Sequence, residues 1–392
     1  MQWSESYLMQ TYARYPLCLV RGEGARVWDA EGKEYLDFTS GHVVLGLGHC
    51  HPRVVGMIRE QAATLTNVSN LFHSPPGIHL AKLLVERSFA DRVFFSNSGA
   101  EANEGAIKLA RKYAKETFSS DRYEIIATRN SFHGRTLATL TATGQEKVWH
   151  GFEPLVPGFK HVPYNDLRAV ERAIDNRTAA VLVEPIQGEG GVVVPDDGYL
   201  PGLRKLCDAA GILLILDEIQ TGMGRAGALW AYQHSGVAPD IMTLAKALAN
   251  GIPIGATLAT EAVAAILTRG SHGSTFGGSP FATAVGLTTL TTVLEENLPE
   301  RAARVGRFLI GRLEAMRQTH PLIKQVRGRG LLIGIELTAP AAPVVTRCRE
   351  RGLLVLTAGD TVVRLAPPLI VSERDVERAL GILDSALGEA VP

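Results

Sequence analysis

Neither sign of charge is in excess in this chain. Its 40 basic side chains face 40 acidic ones, so no field exists to draw in nucleic acid or an anionic lipid surface. No apolar run reaches the length of a membrane span, and the opening MQWSESYLMQTYARYP lacks the basic-then-apolar order of an export signal. A cytoplasmic protein with neither nucleic-acid nor membrane partners is the expectation. Cysteines are few and scattered: Cys18, Cys50, Cys207 and Cys348 show no CxxC spacing, which argues for reduced thiols rather than a disulfide framework. His49, Cys50 and His51 are adjacent, but neighbouring side chains diverge and no further ligand stands at zinc spacing, so no metal is expected. Internal repeats and low-complexity linkers are missing too.

What is present is length and alternation. At 392 residues the chain exceeds the size at which one core stops growing, so two packed units are expected. From about residue 92 to 260, the β-branched runs RVFFS, YEIIAT, AAVLVE, ILLILD and IGATLA alternate with helical patterns. This reads as an α/β unit with a mostly parallel sheet buried on both faces. A helical stretch over residues 283–318 follows. After it, VRGRGLLIGIEL and GLLVLTAGDTVVRLAPP read as strands with a turn at Gly359 and Asp360, and Ser372 caps a last helix with Val376, Ala379, Leu380, Leu383 and Leu387 inward. That is a smaller α+β unit, which the two strand-like pieces of residues 17–38 are expected to join.

The chemistry-bearing residues fall at strand ends, where ligands bind in open α/β sheets. Lys246 in TLAKALANG has apolar and glycine neighbours, a setting in which a lysine can lose its proton and attack an aldehyde. Asp217 closes the strand ILLILD and can hold a pyridinium nitrogen protonated. Together they point to pyridoxal phosphate. Taken singly, the lysine would be a snorkelling surface residue and the acid a helix cap.

The other motifs also carry two readings. In SNSGAEANE, Ser98 and Glu101 stand as a capping box, or Gly99 and Ala100 with the Ser98 hydroxyl offer N–H and O–H donors to a phosphate at the positive helix end. In FHGRT, Phe132 could lie flat on a cofactor ring or pack in the core, His133 is more often a hydrogen-bonded turn residue than a catalyst, and Arg135 offers a planar fork to a substrate carboxylate. EPIQGEGG sets Glu184 and Glu189 beyond another strand end, as orienting and gating charges rather than an acid–base pair. In DEIQ, Asp217 and Ile219 alternate as strand residues do, so Ile219 would press the ring face opposite Phe132, with Gln220 at the phenolic oxygen.

These motifs, with HGSTFGGSP, resemble the class III (ω-amino acid) aminotransferases of pyridoxal phosphate fold type I, over nearly the whole chain. The resemblance implies a large cofactor-binding domain over residues 51–285 with a mostly parallel seven-stranded sheet. It also implies a smaller α+β domain from residues 286–392, to which residues 1–50 contribute. It makes Lys246 the Schiff-base lysine and Asp217 the partner of the pyridine nitrogen, puts Ser98, Gly99 and Ala100 at the phosphate, and lays Phe132 with His133 against the ring. Within the family, RGEGARVWDAEGKEYLDF, LGHCHP and HGSTFGG resemble the acetylornithine and ornithine branch more than the 4-aminobutyrate branch. That likeness implies a homodimer with shared sites, in which Thr275 reaches the neighbour's phosphate. It implies Arg364 as the arginine for the α-carboxylate of glutamate or 2-oxoglutarate with Glu189 as its gate, Arg135 at a second carboxylate, and Tyr12 at the substrate.

Departures cluster near the substrate. His42 stands where one branch has an aliphatic residue and the other a tyrosine, Leu45 replaces an asparagine, and His73 replaces a common tyrosine. The implied reaction is a ping-pong transfer from an ω-amino donor, N-acetylornithine first, to 2-oxoglutarate, giving a semialdehyde and glutamate in arginine biosynthesis. Ornithine, succinylornithine, 4-aminobutyrate and lysine-pathway donors are the alternatives, and His42 is expected to influence the choice. An aminomutase or decarboxylase would not need the Arg364–Glu189 switch, and a noncatalytic relative would not need to keep Lys246 and Asp217.

Overall fold

The computed structural model describes residues 2–118 and 121–389. Its largest sheet has seven strands, in the order Arg92–Ser96, Gly255–Ala259, Ile241–Leu244, Leu213–Asp217, Thr178–Val183, Glu124–Thr128 and Phe159–Val162. Only Gly255–Ala259 runs against its neighbours. The inner strands are buried along their whole length because helices cover both faces, which is why their sequences are apolar runs rather than alternations. This is the α/β sheet expected from the sequence, with two strands added. Phe159–Val162 is a half-buried edge strand whose Lys160 pairs with Glu124 and Asp175, and Ile241–Leu244 is only four residues long. In sequence the first is too polar and the second too short to stand out as a buried run.

A second sheet joins the two ends of the chain. Leu19–Glu23, Arg26–Asp29 and Glu34–Asp37 pair antiparallel, and Leu353–Leu354 adds in parallel to the last of them. A third, antiparallel sheet runs Ile323–Arg329, Leu332–Leu337, Val362–Leu365, Leu356–Ala358, with its tight turn at Gly359, whose φ is 67°. Ser372 caps the final helix Glu373–Gly388 by accepting from the Asp375 N–H, and the five expected apolar residues are all buried. The helical stretch is two helices, Pro280–Glu295 and Leu298–Arg317. Asn297 breaks it with a left-handed φ of 50°, and Pro299 starts the next helix.

Two features position the site. First, the carboxyl ends of Arg92–Ser96, Glu124–Thr128, Thr178–Val183, Leu213–Asp217 and Ile241–Leu244 gather on one edge of the large sheet, because these five strands run the same way. Second, buried Arg225 ties the third sheet to this edge: its Nη1 donates to the carbonyls of Leu331 (3.0 Å) and Pro367 (2.5 Å). With no acidic partner among the described residues, burial pushes that guanidinium down to about 9.

Candidate active site

Asp217 ends its strand with its carboxylate 3% exposed and both oxygens hydrogen-bonded. Oδ2 accepts from Asn103 Nδ2 and His133 Nδ1, both at 2.8 Å, and Oδ1 accepts from the Ile219 N–H at 3.0 Å. A carboxylate can only accept, so the His133 proton sits on Nδ1 and leaves the buried Nε2 without a donor role. Asn103 is oriented in turn by Thr243 Oγ1, which donates to its Oδ1 at 2.8 Å. Ile219 does not continue the strand as the alternation suggested. The Asp217 side chain accepts from the N–H two residues on and bends the chain into a turn, and it is this turn that brings Ile219 to the cavity wall.

The cavity beside Asp217 holds about 440 Å³ and is lined, among others, by Ser98, Gly99, Ala100, Phe132, His133, Arg135, Glu184, Ile219, Gln220 and Lys246. At one end stands the helix Gly99–Thr117. Ser98 caps it by accepting from the Glu101 N–H at 3.2 Å, but Glu101 reaches back to the Asn97 N–H rather than to Ser98, so the capping box is only half formed. The Ser98 hydroxyl proton and the first N–H groups of the helix remain available to an anion. A Cβ on Gly99 would come within 2.9 Å of Ile219 Cδ1 and press that side chain aside, so glycine keeps the helix start close to Ile219.

Lys246 stands one residue beyond its strand, after Ala245, on a left-handed residue with φ of 39°, a conformation that a lysine adopts only where its surroundings impose it. Burial lowers its pKa, against the pull of Glu189, which favours the neutral amine of a nucleophile. Among the described residues Nζ has no hydrogen-bond partner within the chain.

Glu184 and Glu189 do different things. Glu184 accepts from the Phe132 N–H (3.2 Å) and the Gly188 N–H (3.3 Å), fixing two loops to each other, and burial pushes its carboxyl up to about 7. Glu189 is the hub of a charged cluster, with three donors converging on one oxygen, Oε1: Arg364 Nη1 at 2.5 Å, His42 Nε2 at 3.2 Å and Gln220 Nε2 at 3.2 Å. Burial would raise its pKa, but the His42 hydrogen bond and the Arg364 and Lys246 charges override that and hold it well below the usual carboxylate range. Gly188 lets this loop lie on Gln220, whose Oε1 would stand 1.9 Å from an added Cβ. Arg364 is 1% exposed, and its Nε and Nη2 are buried with no partner among the described residues. Two unmet donors on one guanidinium edge are the geometry that a carboxylate fills.

The remaining candidates lie at different distances from this centre. Arg135 lines the cavity with its guanidinium 5.5 Å over the Phe132 ring. The His42 side chain is 55% exposed, but its Nε2 is turned to Glu189 at 3.2 Å. It also lines a second, larger cavity with Tyr12, which is itself 73% exposed. Thr275 is exposed and not part of its own chain's cavity, and His73 lines a separate hollow near Gly277 and Gly278. Asn103 and Thr243, which orient Asp217, were not singled out from the sequence. The available signal was an asparagine on the apolar face of a helix beside Ala102 and Ala106.

The residues fit pyridoxal phosphate. A donor-rich helix end, a buried carboxylate held by three donors and a lysine of lowered pKa share one cavity whose walls are Phe132 and Ile219. Fold and site define a pyridoxal phosphate enzyme of fold type I. Residues 7–387 match the family described as aminotransferase class-III. The chain is 50% identical over 388 residues to the acetylornithine aminotransferase of Caldanaerobacter subterraneus subsp. tengcongensis, covering 99% of this chain and 98% of that one. It is 48% identical to that of Methanocaldococcus jannaschii, covering 98% and 97%. Among solved structures, the ornithine aminotransferase of Toxoplasma gondii superposes with a TM-score of 0.96 at 39% identity, covering 99% of this chain and 94% of that one. The acetylornithine aminotransferase of Elizabethkingia anophelis gives 0.89 at 36%, covering 99% and 98%. The chain therefore belongs to the class III aminotransferases.

Proposed function

We propose that the protein transfers the ω-amino group of N-acetylornithine to 2-oxoglutarate, as a step of arginine biosynthesis in the cytoplasm. The Arg364–Glu189 pair is the observation that carries the transaminase reading. A buried arginine with two open donors and a removable carboxylate partner can hold a dicarboxylate in one half-reaction and be neutralised in the other. The donor rests on the full-length similarity to acetylornithine aminotransferases. When bound, the cofactor supplies an aldehyde for the amino group and a ring that takes up electrons. Ser98, Gly99 and Ala100 would hold its phosphate, Phe132 and Ile219 would flank the ring, Gln220 would stand near its phenolic oxygen, and Asp217, positioned by His133 and Asn103, would face its nitrogen. Lys246, its amine favoured in the neutral form by burial, would be the base that moves the substrate proton, and Arg135 and Tyr12 would receive the donor's carboxylate end. The test is a screen of amino donors against 2-oxoglutarate with glutamate as the readout. A specificity constant for N-acetylornithine below those for ornithine, succinylornithine and 4-aminobutyrate would overturn the donor.

Arg364→Ala should impair glutamate and 2-oxoglutarate alike, since both present an α-carboxylate. Loss of a charge-assisted pair costs about 1.5–3 kcal/mol, or roughly one to two orders of magnitude in apparent affinity. Saturation curves unaltered for both would remove Arg364 from the site.

The working form we propose is a homodimer, with residues 51–285 as the cofactor domain and residues 1–50 and 286–392 as the smaller one. Leu71, Phe72 and Phe276 are 88%, 70% and 64% exposed, a group of apolar side chains of the kind that marks an interaction surface. Asn70 ties the two segments by donating to the Ser274 and Gly277 carbonyls, so Thr275 rides on this face toward a neighbour's site. Thr275→Ala should weaken cofactor retention. Light scattering at assay concentration that shows a fully active monomer would refute the dimer.

A further inference from the structure

The chain forms a left-handed turn immediately before the cluster around Glu189. Ser40, Gly41, His42 and Val43 have φ of 50°, 59°, 72° and 67°, a run that L residues avoid. It is held from both sides: Asp37 Oδ1 accepts from the N–H groups of Thr39 (2.9 Å) and Ser40 (3.1 Å), and the Ser40 hydroxyl donates to the Ala366 carbonyl at 2.6 Å. What the turn delivers is the His42 ring. With no partner from its own segment, His42 Nε2 donates to Glu189, 147 residues away in sequence.

We propose that His42 is the receiving partner of Glu189 when a dicarboxylate takes Arg364, and so sets the affinity for that substrate rather than for the amino donor. This rests on the reading of Arg364 as the dicarboxylate-binding arginine. A ligand can shift the pair only by a difference between its two states. In the closed state Glu189 Oε1 is shared by three donors, and the His42 bond is at the long end of the normal range at 3.2 Å. Once Arg364 turns to a ligand carboxylate, Glu189 is left beside a second negative charge with only His42 and Gln220 to hold it. Its bond to His42 can then shorten. Because His42 sits on the left-handed turn and not on the strand of Arg364, Glu189 can follow it while Val362–Leu365 stays in register. His42 is thus a positioning residue, acting through Glu189.

The test is a titration of the cofactor-loaded enzyme with glutarate, a dicarboxylate with no group to react, together with steady-state kinetics. His42→Ala should raise the glutarate dissociation constant and the KM for 2-oxoglutarate about three- to tenfold, the range for a partly solvated hydrogen bond to a charge. The KM for the amino donor should move less. His42→Gln, which keeps an N–H donor, should recover most of the loss, and in a Glu189→Gln background removal of His42 should have no further effect on glutarate. If His42→Ala does not fold, His42→Asn carries the same expectation, since asparagine tolerates the left-handed backbone and is too short to hold Glu189. Equal glutarate affinity in wild type and variant, an effect confined to the donor, or a loss that persists with Glu189→Gln would each overturn the proposal. Wild type that binds no glutarate and forms no glutamate would instead sink the transaminase reading itself.

Discussion

Lys246→Ala should abolish turnover while leaving the fold and the cavity in place. Two separate functions go with the amine. One is the covalent hold on the cofactor aldehyde, seen as the yellow colour of the loaded enzyme; the other is the movement of the substrate proton, which a positioned base accelerates by roughly two to four orders of magnitude. The structure favours both. Burial lowers the pKa of Lys246, its Nζ has no competing partner among the described residues, and the left-handed φ of 39° spends backbone strain on placing this one side chain. Alanine at this position removes a cavity-lining side chain whose amine has no hydrogen-bond partner among the described residues, so the melting temperature without cofactor should change little. The check is absorbance and amino transfer on the purified variant. Normal colour and normal glutamate formation would show that another group does this work.

How much of this site can be read from the sequence depends on where each residue lies. Lys246, Asp217, Glu184 and Ser98 are legible because each closes or follows a strand of apolar residues, so the pattern that announces the strand also announces the edge where ligands bind. Asn103 and Thr243 are not, because a polar residue inside a helix or strand reads as a neutral substitution until its partner is seen, and their partner is Asp217, 114 residues from Asn103. Ile219 lines the cavity, but not as a continuation of the strand. It reaches the cavity by a turn that Asp217 caps, and alternation cannot distinguish the two. The two missed strands show the same limit: Phe159–Val162 has one buried residue of four, and Ile241–Leu244 is shorter than most strands. Least legible is the left-handed turn, since nothing in TSGHV specifies four positive φ angles. Only the contacts of Asp37 and Ser40 show why the backbone accepts them.

Asp217→Asn should keep the protein folded and able to take up cofactor, yet slow the chemistry by roughly two to four orders of magnitude, the equivalent of about 3–5 kcal/mol for unpairing a buried charge. Charge is the first reason. A neutral amide cannot stabilise a protonated pyridine nitrogen, and the ring then accepts electrons poorly. The second reason lies in the hydrogen bonds. Every present partner of this carboxylate is a donor: Asn103 Nδ2 and His133 Nδ1 on Oδ2, and the Ile219 N–H on Oδ1. An amide must therefore set its own NH2 against one of them. If it faces Ile219, the turn that carries Ile219 to the cavity loosens; if it faces His133, that ring can accept only by moving its proton to Nε2, which is buried without a partner. Asn103→Ala tests the two causes apart, because it removes one donor and leaves the charge, and should cost much less than Asp217→Asn. Single-turnover rates of the half-reaction with the amino donor decide the matter. Rates for Asp217→Asn equal to wild type, or equal to those of Asn103→Ala, would show that the negative charge at this strand end is not what drives the reaction.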